Sequence, residues 1–172
     1  LHVGATVPRI CTTISFAVIA LCAATPPLEG QFYASAAASI PMGDFADQAG
    51  TGWMVSAGYH PLASPSGRTK LWLAGAYGRH PVAAGDETHR LVAGFVTITR
   101  ALGTSRPTPF VLGSLGYLDA DGGGVMFGGG GGLARGDLHA SARLLATPSL
   151  DLTAAGTIRP SQVLVIGAGV TF

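Results

Sequence analysis

The chain has 172 residues with 26 glycines and 11 prolines, and only 11% of its residues are charged. Its 48% apolar content and net charge of +1 exclude a disordered chain, and ten basic against nine acidic residues give no electrostatic case for nucleic acid. No run reaches the roughly 18–20 apolar residues that a helix needs to cross a bilayer.

The first element reads as an export signal. Arg9 precedes an apolar run from Ile10 to Ala24, and Pro26-Pro27 follow it. A charge, an apolar stretch and small residues form the three-part layout of a secretory signal. Residues 1–24 are therefore expected to be a signal-peptide helix cleaved near Ala24, and residues 25–30 a short linker. A buried helix is the bland alternative. A lipid anchor at Cys22 is disfavoured by the bulky Leu21 before it. Cys11 and Cys22, the two cysteines of the chain, both fall in this segment. The mature chain would then have none, and a closed, fully hydrogen-bonded barrel is one way to be stable without disulfides.

Eight strand-like segments follow, divided by Gly, Pro and Asp clusters. They are Gln31–Ile40, Gly52–His60, Thr69–His80, Thr88–Ala101, Pro109–Leu118, Gly124–Ala134, Leu138–Ala146 and Gln162–Phe172. Each is near the roughly 9–11 residues with which a tilted strand crosses hydrocarbon. The Ala-rich stretch 34–40 has helical propensity, but its flanking segments are strands.

Alternation is clean in three segments. Trp53, Val55, Ala57 and Tyr59 oppose Met54, Ser56, Gly58 and His60. Leu138, Ala140, Ala142 and Leu144 oppose His139, Ser141 and Arg143. Leu164, Ile166, Ala168, Val170 and Phe172 oppose Val163, Val165, Gly167, Gly169 and Thr171. Period two means that the two faces meet different media. In the third, fourth and fifth segments both faces are apolar, so the pattern leaves their facing open. Gly58, Gly128–Gly132, Gly167 and Gly169 suit a crowded lumen. Rings near segment ends (Phe32, Tyr33, Trp53, Tyr59, Trp72, Tyr77, Phe110, Tyr117, Phe172) suit two membrane interfaces. Pro61, Pro65, Pro107 and Pro109 are expected in turns, where a missing donor costs nothing.

Three features resemble the small eight-stranded outer-membrane barrels, the OmpA/OmpX-like family. The chain ends in Phe172 behind alternating apolar residues. Pro41-Met42-Gly43-Asp44-Phe45, then Gly52 and Gly58-Tyr59, resemble the first loop and second strand of these proteins. Pro109-Phe110-Val111-Leu112-Gly113-Ser114-Leu115-Gly116-Tyr117 resembles their fifth strand. The resemblance covers about residues 30–172. It implies an all-β, eight-stranded antiparallel up-and-down transmembrane barrel over 31–172. It also implies an outer-membrane location, contact with outer-membrane lipids and lipopolysaccharide, and assembly through the C-terminal strip Leu164, Ile166, Ala168, Val170 and Phe172. By the family's topology 41–51, 81–87, 119–123 and 147–161 are outer loops, and 61–68, 102–108 and 135–137 are periplasmic turns.

Candidate chemistry is sparse. His139 and Ser141 share one strand face, so His139 could deprotonate Ser141 for acyl transfer, an arrangement reminiscent of barrel-type lipid A deacylases. No orienting acid accompanies them, and the pair points away from the apolar face. Arg143 is the charge at the centre of a polar strand face and calls for a partner, with Asp119, Asp121, Asp137 and Asp151 as candidates. His80 and His89 flank a loop containing Asp86 and Glu87, and His60 lies at another segment end, but nothing fixes a metal-binding spacing. The glycine run lacks the helix and acid of a dinucleotide fingerprint. The reading is a non-catalytic, monomeric barrel with a structural or surface-interaction role and no cofactor or metal. The alternatives are a small passive pore, a lipid A acyl hydrolase, and a soluble barrel with an internal ligand.

Overall fold

The computed structural model describes residues 31–82, 87–119, 124–147 and 161–172. The expected export segment, 1–24, and the linker, 25–30, lie outside the described residues.

Eight strands form: β1 Gln31–Met42, β2 Gly52–Ala63, β3 Thr69–Pro81, β4 Thr88–Ala101, β5 Thr108–Asp119, β6 Gly124–Arg135, β7 Leu138–Thr147 and β8 Ser161–Thr171. Each pairs antiparallel with the next, and β8 pairs back onto β1 to close the barrel. Closure leaves no unpaired edge. The seam runs from Tyr33 opposite Thr171 to Met42 opposite Gln162. Beyond it, Phe32 and Phe172 exchange both backbone hydrogen bonds at 2.8 Å. The Ala-rich 34–40 stretch is strand, because β2 and β8 both bond to it. Ladder pairing on two sides overrides helix propensity.

Two prolines depart from the turn expectation. Pro61 lies within β2, where the register shifts between Tyr59 and Leu62. Pro109 lies within β5 beside its first residue, Thr108. A bulge and a strand end both excuse a missing donor.

The structure sets the facing of every strand. On β4, Leu91, Ala93, Phe95 and Thr97 are buried inside, while Val92, Gly94, Val96 and Ile98 are exposed outside. On β3, Trp72, Ala76 and His80 face in, and on β5, Ser114 and Leu118 do. Of the rings expected at the interfaces, Tyr33, Trp72 and Phe110 instead line the lumen. The outward rings form two groups. Trp53 packs on Tyr77 at 5.7 Å toward the loop end. Phe32 packs on Tyr59 at 5.0 Å and on Phe172 at 6.5 Å toward the turn end.

The glycine run is split by its pleat. Gly128, Gly130 and Gly132 approach the neighbouring strand and lumen side chains, whereas Gly129 and Gly131 lie on the outer face. A Cβ on Gly132 would stand 2.6 Å from Cζ of Phe110. The absent side chain is therefore what admits the Phe110 ring to the lumen.

Candidate functional site

The lumen has two unlike halves. Toward the loops it is packed with apolar side chains, among them Phe45, Met54, Leu91, Phe95, Met126 and Leu145. The residual space there is about 20 Å³, room for about one water. A 3-10 turn, Gly43–Phe45, carries Phe45 over this end. Gly43 takes a φ of +61°, a left-handed backbone that favours glycine. The Phe45 ring packs edge-on to His80 at 5.4 Å, and His89 lies at 6.2 Å.

His80 is fully buried and tied at both ring nitrogens. Nδ1 lies 3.0 Å from the Gly50 carbonyl, and Nε2 lies 3.0 Å from the Ser39 hydroxyl. A neutral ring with its proton on Nδ1 satisfies both. It donates to the carbonyl and accepts from Ser39. Its use is structural: it staples β1, β3 and the first loop together. Asp86, the acid that would stand beside it in a metal site, lies outside the described residues.

The half toward the turns is open inside. A cavity of about 350 Å³ extends from the turn end down to the plug. Its walls are mixed. Tyr33, Trp72 and Phe110 supply rings, while Ser35, Ser56, Thr97, Thr99 and Ser141 supply hydroxyls. Several polar groups are already paired. Ser35 meets Ser56 at 2.6 Å, Thr97 meets Ser114 at 2.8 Å, and the Trp72 indole N–H donates to Thr99 at 3.1 Å. Tyr33 stands edge-on to Trp72 at 5.1 Å and to His139 at 6.1 Å. At the rim Lys70 donates to Gln31 at 2.9 Å, and Arg68 lies beside it.

Arg143 lies deep in this cavity. Instead of the acidic partner that its position calls for, the guanidinium rests over the Phe95 ring, 5.0 Å from its centroid. Among the described residues no carboxylate pairs with it. Asp119 is exposed on the outer face of β5, and Asp137 stands in the turn after β6, on the cavity rim. Asp121 and Asp151 lie outside the described residues. Gly130 makes room for the arginine, since a Cβ there would stand 2.9 Å from Cβ of Arg143.

His139 and Ser141 both line the cavity. Among the described residues no hydrogen bond joins them, and no acid orients the imidazole. His60 is buried on the same side, its ring 4.9 Å from Trp72, with Nδ1 unpartnered among the described residues. Sequence reasoning singled out Arg143 but missed the inward Tyr33, Trp72 and Phe110. Their neighbours in the pattern are as apolar as they are.

The outer surface is an apolar band. Exposed Val92, Val96 and Ile98 on β4, Val111 and Leu115 on β5, and Ile166 and Val170 on β8 are part of it. Charges bracket it: Arg79, Arg90 and Asp119 toward the loops, Arg100 and Arg135 toward the turns. From Arg90 to Arg100 is about 33 Å of strand at roughly 3.3 Å per residue. At a tilt of about 40° this rises about 25 Å, the height of the apolar band of outer-membrane barrels.

Topology and register together define a closed, eight-stranded, antiparallel up-and-down β-barrel with an apolar exterior. Among solved structures, Neisserial surface protein A (NspA) is similar with a TM-score of 0.53 at 18% identity, over 83% of this chain and 95% of that one. The N-terminal β-barrel domain of OprF from Pseudomonas aeruginosa is 19% identical over 83% of this chain and 97% of that domain, with a TM-score of 0.49. The topology and the first of these likenesses carry the assignment of fold. No family model and no curated protein matches the chain.

Proposed function

We propose that the protein is a non-catalytic barrel of the outer membrane, monomeric, with a structural or surface-interaction role. The observation that carries this reading is the uncharged apolar band around all eight strands. A water-soluble surface rarely holds a contiguous apolar patch beyond a few hundred Å². A lipid surround turns the same residues from a cost into the anchoring term. This argues against a soluble ligand-binding barrel.

The plug speaks against the passive-pore reading, since the described residues leave only about 20 Å³ of residual space in the loop-side half. Placement speaks against the acyl-hydrolase reading. His139 and Ser141 face the lumen, whereas a lipid substrate lies outside the wall.

Export through the inner membrane by segment 1–24 and insertion by the assembly machinery complete the proposal. The strip Leu164, Ile166, Ala168, Val170 and Phe172 presents its side chains outward from β8, available to that machinery. Membrane fractionation with a heat-modifiability gel tests the whole reading. The expected result is outer-membrane recovery and a band that shifts on boiling. A soluble periplasmic protein with no shift overturns it. N-terminal sequencing of the exported protein is expected to start near Thr25, and an intact Leu1 start in the outer membrane would contradict the signal.

A further inference from the structure

We propose that the turn-side lumen is a binding site for a small organic monocarboxylate with a flat apolar body, its carboxylate on Arg143 and its ring against Tyr33, Trp72 and Phe110. The site is blind: the apolar plug closes it below Arg143, and it opens at the turn end. Its volume, about 350 Å³, falls within the range of ligand pockets, about 300–1,000 Å³.

Three observations point to this chemistry. The first is charge. A guanidinium is permanently charged, and removing it from bulk water is costly unless it is paired. Among the described residues Arg143 has the Phe95 face and no carboxylate. Its planar fork suits a carboxylate bidentately. The second is the sign of the entrance. Arg68 and Lys70 stand at the rim with Asp137 as the acid there, and low-dielectric walls focus such a field inward. The third is the wall. Rings on three different strands face inward beside hydroxyls that are largely paired to one another, leaving apolar area for a flat body. Arg143 stands about 16 Å of strand from Leu138 at the turn, at roughly 3.3 Å per residue. A one-ring acid therefore fits wholly inside.

The lumen geometry alone carries this proposal. That the mouth opens toward the periplasm rests on the membrane reading above. The two tryptophans provide the test, because Trp53 faces outward and Trp72 lines the cavity. In a Trp53→Phe background of the full chain, folded in detergent, Trp72 is the remaining indole. Titration with 4-nitrobenzoate should quench it saturably. The uncharged methyl 4-nitrobenzoate should bind at least tenfold more weakly. Arg143→Met should raise the half-saturation concentration at least tenfold, and Arg143→Lys should raise it less. Ser141→Leu keeps the charge but fills the cavity opposite Gly132 and Gly167, and should abolish saturation. It decides the matter if Arg143→Met does not fold.

Unlabelled benzoate should displace the probe, while decanoate should not. Quenching that is linear in probe overturns the site. Equal affinity for acid and ester, or unchanged binding in a folded Arg143→Met, overturns the role of the arginine. Displacement by decanoate alone overturns the flat-body preference. The gel shift of the Trp53→Phe protein is read in parallel. A saturable site without a shift would retain the pocket and refute the membrane barrel.

Discussion

At the scale of single residues, the pleat of β6 gives neighbouring glycines opposite fates. A Cβ on Gly130 would stand 2.9 Å from Cβ of Arg143 and closer still to the Ala142 carbonyl, whereas one on Gly129 would meet only the Leu112 carbonyl at 3.8 Å. Gly130→Ala should therefore destabilise by about 1–3 kcal/mol, the usual cost of overpacking. Gly129→Ala should stay within about 0.5 kcal/mol of the parent. Urea unfolding of both variants in lipid vesicles measures the difference, and equal effects would mean that the inward face has been misplaced. The outer face has its own test on β2. Val55, near mid-band, should cost about 2–4 kcal/mol as Val55→Arg. Trp53→Arg, next to the loop-end charges, should cost less through its charge. Equal penalties would show that the two positions sit at one depth.

At the scale of elements, the seam between β1 and β8 is where the barrel is completed. It joins the first and last described strands, so its contacts span the greatest sequence separation in the fold and carry a high loop-closure cost. Phe172 sits at its end with its ring 6.5 Å from Phe32 and both backbone bonds to that residue made. Deleting Phe172 removes these bonds together with the last ring of the outward strip. The expected outcome is unassembled protein in the periplasm at near-normal expression, read by the heat-shifted band. Full assembly of the truncated chain would refute the role of the terminal ring. Element ends were largely legible in the sequence, and β4, Thr88–Ala101, has the expected bounds. Where β2 overran, to Ala63, the cause is the bulge at Tyr59/Leu62. It lets the strand continue past Pro61, and no local pattern announces a bulge.

At the scale of the whole molecule, the barrel has one filled half and one hollow half. Phe45, folded in from the first loop, and Met126, the largest of the fully buried side chains, hold the filled half. A bilayer carrying the wild-type protein should show no unitary conductance. Steady ion-conducting steps would mean that the plug opens. Phe45→Ala should lower stability by about 3–5 kcal/mol if its site cannot collapse, measurable in the same vesicle unfolding assay.

The amino-acid sequence by itself determined the fold class, the strand count and the facing of β2, β7 and β8. On those strands the two faces differ chemically, so period two can be read locally. It could not settle β3, β4 and β5. There the plug inside is as apolar as the band outside, and a pattern of apolar against apolar carries no sign. Only closure and register decided that Leu91 and Phe95 face in and that Val92 and Val96 face out. The same limit hid the cavity. Tyr33, Trp72 and Phe110 look like interface rings when read along their own strands. They become a pocket only when β1, β3 and β5 curve around one axis. Arg143 was visible as a lone charge on a polar face, but its companion, Phe95, lies on β4, more than forty positions earlier in the chain. A contact made across a lumen belongs to the closed barrel, and no single strand encodes it.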